Sequence, residues 1–171
     1  MPNIIRDIIL MVKKMNKKII YTMFICIFID QLIKIIVSNI ALLNTPYEVI
    51  KNFFYLTHVR NLGAAWGIFY GNRYFLILVS LFALFIFYFV FIKNKKLSKF
   101  ESISFGILLG GIIGNLIDRI VYGYVIDYLD FQIFNYDFPI FNFADTCIVI
   151  SIILIIIKII KDDSDGKIYN K

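Results

Sequence analysis

The chain has 171 residues, of which 60% are apolar and 18% are charged, against about 25% charged residues in an ordinary soluble domain. The mean hydropathy of +0.81 excludes a disordered chain, a disulfide-rich secreted scaffold and a typical cytosolic enzyme. The formal net charge of +6 does not indicate nucleic-acid binding, because the basic residues lie beside apolar runs and form no continuous stripe. Composition therefore predicts a polytopic membrane protein.

Four apolar runs predict four transmembrane helices, since a helix needs about 20 apolar residues to span a bilayer. The predicted spans cover residues 19–43, 74–92, 102–120 and 143–160, within a single domain of residues 1–171. The expected fold class is an all-α membrane protein with four transmembrane helices, a small extracytoplasmic β-platform and an amphipathic outer-face segment.

The stretch before the first span is basic, and Met15 offers an alternative start to Met1. The segment from Met15 onward is similar to a signal peptide. We expect no cleavage, because the apolar run is too long, contains Asp30 and Lys34, and is not followed by an A-x-A-like site.

The basic residues predict the orientation of the chain in the membrane. Thirteen of the 18 lie in three clusters, at 6–18, 93–99 and 158–171. Because lysine and arginine are in excess on the cytoplasmic side, both termini and the middle cluster are expected there. Segments 44–73 and 121–142 then face outside.

The two outer segments carry structural signals of their own. Asn52–Arg60 (NFFYLTHVR) is aromatic and β-branched, which is typical of a strand, and Asn61-Leu62-Gly63 is a turn signal. Phe131–Phe141 is again aromatic, with Pro139 just before the last helix. These segments predict a small sheet or amphipathic platform on the outer membrane surface.

Ionisable residues at membrane depth are costly unless they are paired or face a cavity. Asp30 and Lys34 are four residues apart on the first helix, so they lie on one face and can pair. Such a pair either supports the helix bundle or also orients a group in a cavity.

The third span ends in GGIIGNLIDR, which combines small and polar residues. Gly110 and Gly114 form a small-xxx-small pattern that allows a neighbouring helix to approach closely. Asp118 is expected either to pair with an arginine such as Arg119 or Arg60, or to take part directly in chemistry.

Two further acids lie near the outer end of the predicted bundle. Asp127 has apolar neighbours in GYVIDYLDF, and desolvation raises the pKa of a carboxyl group. Asn142 and Asp145 are spaced as the N-cap and N3 residues of the last helix, a role that is compatible with catalysis. Two carboxylates that share a site also share a proton, as hydrolysis by an acid pair requires.

Other hydrolytic chemistries have little support in the sequence. His58 is the only histidine, and the chain contains no H-E-x-x-H, C-x-x-C or G-x-S-x-G motif, which argues against a zinc hydrolase and a serine–histidine triad. Cys26 and Cys147 lie in apolar runs and are expected to be buried free thiols. We therefore expect no metal and no cofactor.

Five ordered motifs resemble the lipoprotein signal peptidase (signal peptidase II) family. They are DQLIK (Asp30–Lys34), RNLGAAWGI (Arg60–Ile68), GGIIGNLIDR (Gly110–Arg119), GYVIDYLDF (Gly123–Phe131) and FPIFNFADTCI (Phe138–Ile148). The chain departs from the family pattern in one place, where VIDY replaces the usual V-V-D-F and keeps its apolar and aromatic character.

The resemblance implies a metal-free aspartyl endopeptidase in a bacterial cell membrane, with its active site near the outer leaflet. Such an enzyme removes the signal peptide of prolipoproteins, cleaving before a diacylglyceryl-modified cysteine. The implied partners are the lipidated prolipoprotein and membrane lipids, without nucleic acid, and the chain is expected to be a monomer.

The resemblance also implies roles for particular residues. The family's two catalytic aspartates fall on Asp127 and Asp145. Asn61 and Gly63 line the substrate site, and the residues that support the acid pair and contact substrate are Asn115, Arg119 and Asn142. Asp30 and Lys34 are structural or substrate-facing, and Asp118 is a reserve candidate for catalysis.

Two other classes of protein remain open at this point. Asp30, Lys34 and Asp118 at membrane depth are compatible with a small proton-coupled transporter, although no inverted repeat supports one. A non-catalytic assembly factor would use Gly110 and Gly114 for helix contacts.

Overall fold

The computed structural model describes residues 15–93, 95–133 and 136–165. Within these ranges, four helices are long and apolar enough to cross a membrane. They are α1 (Lys17–Ile40), α2 (Arg73–Phe87, continued by a π-helical turn over Tyr88–Ile92), α3 (Lys99–Val121) and α4 (Phe143–Ser164). The predicted fold class, a four-span, mostly helical membrane protein with a small sheet, is confirmed. The basic stretch before residue 15 and the tail after residue 165 lie outside the described residues.

The first helix ends earlier than the sequence predicts. The predicted span runs to residue 43, but α1 ends at Ile40, and Ala41 already has an extended backbone (φ −98°, ψ 129°). Leu43 forms an isolated bridge with His58 instead. The apolar run continues past the helix because its last residues begin the path into the sheet, and hydropathy does not distinguish the two.

A small antiparallel sheet is formed by the two segments that connect α1 to α2 and α3 to α4. Its strands pair in the order β1 (Pro46–Ile50), β2 (Phe54–Asn61), β3 (Val125–Ile133) and β4 (Tyr136–Asp137). The predicted strand at Asn52–Arg60 corresponds to β2. The segment that becomes β3 was not predicted as a strand, because its first four residues are all buried and so lack the alternation of a half-buried strand.

The pairing of β2 with β3 joins two distant parts of the chain. The register places Val59 opposite Asp127 and Asn61 opposite Val125. Opposite positions in an antiparallel pair lie about 4.5–5.5 Å apart. The sheet therefore brings the end of the first outer segment to the start of the second.

Helix α3 is the central helix of the bundle, and its glycines let two neighbours approach. A Cβ atom at Gly110 would lie 2.6 Å from Cys26 Cβ on α1, and one at Gly111 would lie 2.5 Å from the Ala144 carbonyl oxygen on α4. A Cβ at Gly114 would lie 2.5 Å from Asp30 Oδ2. The predicted close approach at Gly110 and Gly114 is confirmed, and α1 is the helix that makes it.

Both cysteines are buried and free, as the sequence predicts.

Candidate active site

Asp127 lies in the buried first half of β3 and is only 2% exposed. Its Oδ2 accepts a hydrogen bond from Asn61 Nδ2 at 2.8 Å, and its Oδ1 accepts one from Asn142 Nδ2 at 2.7 Å. Burial and, next, the charge of Asp145 raise the pKa of Asp127 to about 7, against the opposing effect of the two amide donors. Asp127 therefore holds its proton well above the pH at which an ordinary aspartate loses it.

Asp145 occupies the third position of α4, as predicted. Asn142 is the N-cap, and the two residues form a reciprocal capping box: the Asp145 amide donates to Asn142 Oδ1 at 3.0 Å, and Asp145 Oδ2 accepts from the Asn142 amide at 3.2 Å. Asp145 Oδ1 accepts from Asn115 Nδ2 at 2.8 Å. Both carboxylate oxygens are thus held by donors from two elements.

The remaining amides of the α4 N-terminus are also occupied. The Phe143 amide donates to the Tyr128 hydroxyl at 3.1 Å, and the Ala144 amide donates to Asp30 Oδ1 at 3.0 Å. Acceptors from β3 and α1 therefore complete the cap, and unsatisfied amides at a buried helix end would be costly. This cap fixes the backbone on which Asp145 stands.

Asn142 connects the two aspartates, because its side chain donates to Asp127 while its backbone amide donates to Asp145. Both acids line one cavity of about 440 Å³. Its walls are mostly apolar, and the residues that line it include Trp66, Phe138, Pro139, Phe141, Ile148 and Val149. The arrangement places two carboxyl groups on the wall of a mostly apolar cavity.

A tight turn at Gly63 holds two further polar side chains of the cavity wall, Asn61 and Arg119. The Gly63 amide donates to Asn61 Oδ1 at 2.9 Å, and Arg119 Nη2 donates to the Gly63 carbonyl oxygen at 3.1 Å. A Cβ at Gly63 would lie 2.9 Å from the Ile68 carbonyl oxygen, so this position accepts only glycine without a shift of the loop. The turn thus orients Asn61 toward Asp127 and anchors Arg119 beside the acids.

Asp30, Lys34 and Asp118 form a buried ion cluster behind the cavity. Lys34 Nζ lies 2.9 Å from Asp30 Oδ2 and 2.9 Å from Asp118 Oδ2, and all three side chains are at most 1% exposed. The predicted pairing of Asp30 with Lys34 is confirmed. The expectation that Asp118 pairs with an arginine is wrong: its partner is Lys34, because the close packing of α1 on α3 brings the lysine to the same depth.

The structure brings all ten residues singled out in the sequence into one connected region. One contributor that the sequence analysis missed is Gln31, whose Nε2 donates to Asp30 Oδ2 at 3.1 Å and to Asp118 Oδ1 at 3.0 Å. The signal for it was its position beside Asp30 in an apolar helix, where a lone amide is as informative as a charge. Thr146 and the Phe138–Phe141 segment also reach the cavity, and the latter belongs to the second aromatic outer segment.

The fold and the site define a class of protein: a four-span membrane protein with two carboxyl groups joined through one asparagine at the rim of an apolar cavity. The family model for signal peptidase (SPase) II matches residues 22–161. The chain belongs to the signal peptidase II family.

Relatives and solved structures agree with this membership. The chain is 41% identical over 149 residues to the lipoprotein signal peptidases of Staphylococcus aureus strains JH9 and Newman, covering 87% of this chain and 91% of each relative. Two solved structures, described as a bacterial membrane enzyme determined by the in meso method at 2.3 Å and 1.9 Å resolution, are each 38% identical to it. They superpose with TM-scores of 0.78 and 0.74 and cover 86% and 84% of this chain, and 90% and 93% of their own. These similarities support a signal peptidase and not the alternative of a proton-coupled transporter.

Proposed function

We propose that this protein is an aspartyl endopeptidase that removes the signal peptide from diacylglyceryl-modified prolipoproteins, cutting before the lipidated cysteine. The observation that carries the proposal is the pair Asp127 and Asp145, which line one cavity and are linked through Asn142. The substrate follows from the family, whose curated relatives are lipoprotein signal peptidases.

The two aspartates divide the chemistry between them. One carboxylate takes a proton from water as the water attacks the scissile carbonyl, and the other, protonated, donates to the carbonyl oxygen. The tetrahedral intermediate then collapses as a proton passes to the leaving nitrogen. The raised pKa of Asp127 favours it as the carrier of the shared proton. General acid–base catalysis of this kind contributes about 10²–10⁴-fold.

The surroundings of the pair supply the remaining requirements. Asn61, Asn115 and Asn142 hold the carboxylates by three hydrogen bonds of 2.7–2.8 Å, which limits reorganisation during the reaction. Arg119 lines the cavity and donates to the Gly63 carbonyl oxygen, which favours Arg119 as a contact for a bound peptide backbone. Asp118 is fully buried and pairs with Lys34. This favours a supporting role for Asp118 over a catalytic one.

The cavity fits a substrate that arrives within the membrane. Val149 and Ile150 of α4 line it, yet they are 57% and 47% exposed, so the cavity reaches the lipid-facing surface of the bundle. An acyl chain and the end of a signal helix therefore enter sideways without leaving the bilayer, and Trp66 and Phe138 also line the cavity. We infer that this face lies at the outer leaflet of a bacterial cell membrane.

The test is cleavage of a lipidated prolipoprotein by purified protein, followed by gel shift of the product. Asp127→Asn and Asp145→Asn are each expected to lower the rate by at least about 10²-fold, because asparagine keeps the shape and loses the proton. The matched control is Asp162→Asn, an acid paired with Lys158 at the far end of α4, which should cleave at the normal rate. Full processing by both aspartate variants would exclude Asp127 and Asp145 as the catalytic pair.

A further inference from the structure

The buried ion cluster is connected to both members of the acid pair through the backbone. Asp30, on α1, accepts a hydrogen bond from the Ala144 amide at 3.0 Å. Asp118, on α3, accepts one from the Ile126 amide at 3.1 Å. Each of these amides belongs to the residue immediately before a proposed catalytic aspartate, Asp145 in the first case and Asp127 in the second.

Lys34 holds the two carboxylates together. Its ammonium group contacts Asp30 Oδ2 and Asp118 Oδ2, and it donates to Asn115 Oδ1 at 3.0 Å. Asn115 in turn donates to Asp145. A buried carboxylate without a partner is strongly destabilising, and here one lysine is the partner of both acids and holds them in place. The cluster thus has fixed connections to α4 and to β3 at once.

We propose that Asp30, Lys34 and Asp118 are positioning residues that set the separation of the two catalytic carboxyl groups, an inference that rests on the proposed function. Asp30 fixes the backbone before Asp145, Asp118 fixes the backbone before Asp127, and Lys34 fixes the two acids relative to each other. None of the three is among the described residues that line the cavity. They therefore act through Asp127 and Asp145 and not on the substrate.

The hydrogen bonds of Asp118 and Asp30 predict different responses to replacement by asparagine. Asp118 Oδ2 contacts Lys34 and the Ile126 amide, while its Oδ1 accepts from the Gln31 side-chain amide. In Asp118→Asn, the remaining oxygen can keep Lys34 and Ile126, and only the contact with Gln31 is lost, because Gln31 Nε2 retains Asp30 Oδ2 and the Gly114 carbonyl oxygen as acceptors. The backbone contact before Asp127 survives.

Asp30 has no such freedom. Its Oδ1 contacts the Ala144 amide, and its Oδ2 contacts the Lys34 ammonium. Neither group can accept a hydrogen bond, so in Asp30→Asn the new amide opposes a donor in either orientation. The contact before Asp145 or the contact with Lys34 is lost.

The experiment compares Asp30→Asn, Asp118→Asn and the acceptor-free Asp118→Leu in the purified full chain, with the lipidated prolipoprotein as substrate. A 1 Å displacement of catalytic groups costs about 10²-fold. We therefore expect Asp30→Asn and Asp118→Leu to lower kcat by about that factor with KM unchanged, and Asp118→Asn to be at least about tenfold faster than Asp118→Leu. Asp162→Asn, which disturbs the Lys158 pair instead, is the control and should match the unaltered chain.

Equal loss in Asp118→Asn and Asp118→Leu would overturn the proposal, because it would assign Asp118 to proton transfer. A rise in KM with unchanged kcat would also overturn it, because it would indicate substrate binding. Should Asp118→Leu fail to fold, the contrast between Asp30→Asn and Asp118→Asn gives the same decision.

Amide hydrogen exchange tests the proposal without any cleavage assay. Asp118→Leu should speed exchange in the segment around Ile126, and the equally acceptor-free Asp30→Leu should speed it at the start of α4, each leaving the other segment unchanged. Unchanged exchange in both segments would overturn the positioning role. If the variants show faster exchange but the unaltered chain cleaves no prolipoprotein, the proposed function is refuted. The hydrogen-bond connection between the ion cluster and the two backbone segments would still hold.

Discussion

At Asp127, burial and a neighbouring charge act in the same direction on the proton. Removal from water disfavours the carboxylate, and the Asp145 charge disfavours it further, so the pKa of Asp127 rises from 3.8 to about 7. Hydrogen bonds from Asn61 and Asn142 favour the carboxylate but do not outweigh these effects. The result is an acid that still carries a proton near neutral pH, which an exposed aspartate cannot do.

The pKa of Asp127 predicts how cleavage depends on pH. The mechanism needs one protonated and one ionised carboxyl group, and the second proton leaves the pair as pH passes about 7. Activity should therefore fall as pH rises above about 7. A pH profile of kcat/KM measures this, and an activity that stays constant from pH 6 to pH 9 would contradict it.

The raised pKa of Asp127 also makes the stability of the fold depend on pH. Because the pKa of this carboxyl group is 3.8 when it is exposed to water and about 7 in the folded protein, the folded state binds more protons between these limits. The contribution of Asp127 to the free energy of unfolding therefore falls as pH rises from about 4 to about 7, by at most about 1.4 kcal/mol per pH unit. Asp127→Asn, which cannot titrate, should reduce the slope of Tm against pH in that window.

At the scale of elements, the bundle contains two helices that begin with the same capping motif. Ser98 and Glu101 form a reciprocal capping box at the start of α3, as Asn142 and Asp145 do at the start of α4. The first box is at the far end of the bundle from the cavity, and the second includes a proposed catalytic residue. The same local motif thus serves only the helix in one case and the site as well in the other.

This pair of boxes predicts a separation of stability from activity. Ser98→Ala should lower the free energy of unfolding by about 1 kcal/mol and leave cleavage unchanged. Asn142→Ala should cause a similar loss of stability and also abolish most cleavage, because Asn142 donates to Asp127. Thermal unfolding and the cleavage assay together measure the two effects, and equal cleavage by both variants would contradict the role of Asn142.

At the scale of the whole molecule, the basic clusters and the sheet should lie on opposite sides of the membrane. The connection between α2 and α3 contains Lys93, Lys95 and Lys96, whereas the strands lie at the other ends of these helices. The positive-inside rule assigns the lysines to the cytoplasm. The sheet and the cavity then face the outside, which is where we expect lipidated precursors.

Single-cysteine labelling tests this orientation. Tyr47 on β1 is 70% exposed, so Tyr47→Cys should react with a membrane-impermeant thiol reagent added to intact cells. Lys95→Cys, in the connection between α2 and α3, should react only after the membrane is opened. The native Cys26 and Cys147 are buried and should contribute little background. Labelling of Lys95→Cys in intact cells would contradict the predicted orientation.

Several expectations remain predictions at this scale. The single domain over residues 1–171, the monomeric state and the absence of a cofactor are expected from the sequence. The cytoplasmic placement of both termini is a further prediction, and it follows from the basic clusters.

Much of the site was predictable because acids in an apolar chain are few. Twelve acids occur in the sequence, and those at Asp30, Asp118, Asp127 and Asp145 stood out by their apolar neighbours. The four helices were predictable for a similar reason, since span length follows from bilayer thickness. The capping of α4 by Asn142 followed from residue spacing alone.

The partners of these residues were decided by the tertiary structure. Periodicity could not show that Asp118 faces Lys34, because the choice depends on how closely α1 packs against the glycines of α3. Neither could it place Asn61 beside Asp127, because the register of β2 against β3 sets that contact.

The sequence by itself determined the membrane class, the four spans and the short set of acids that a bilayer would not tolerate unpaired, because these depend on the local cost of burying polar groups. The tertiary structure decided which acids share a cavity, which share a lysine, and that β3 is a strand at all. These are long-range pairings, and the sequence encodes them only through the packing of elements that are far apart along the chain.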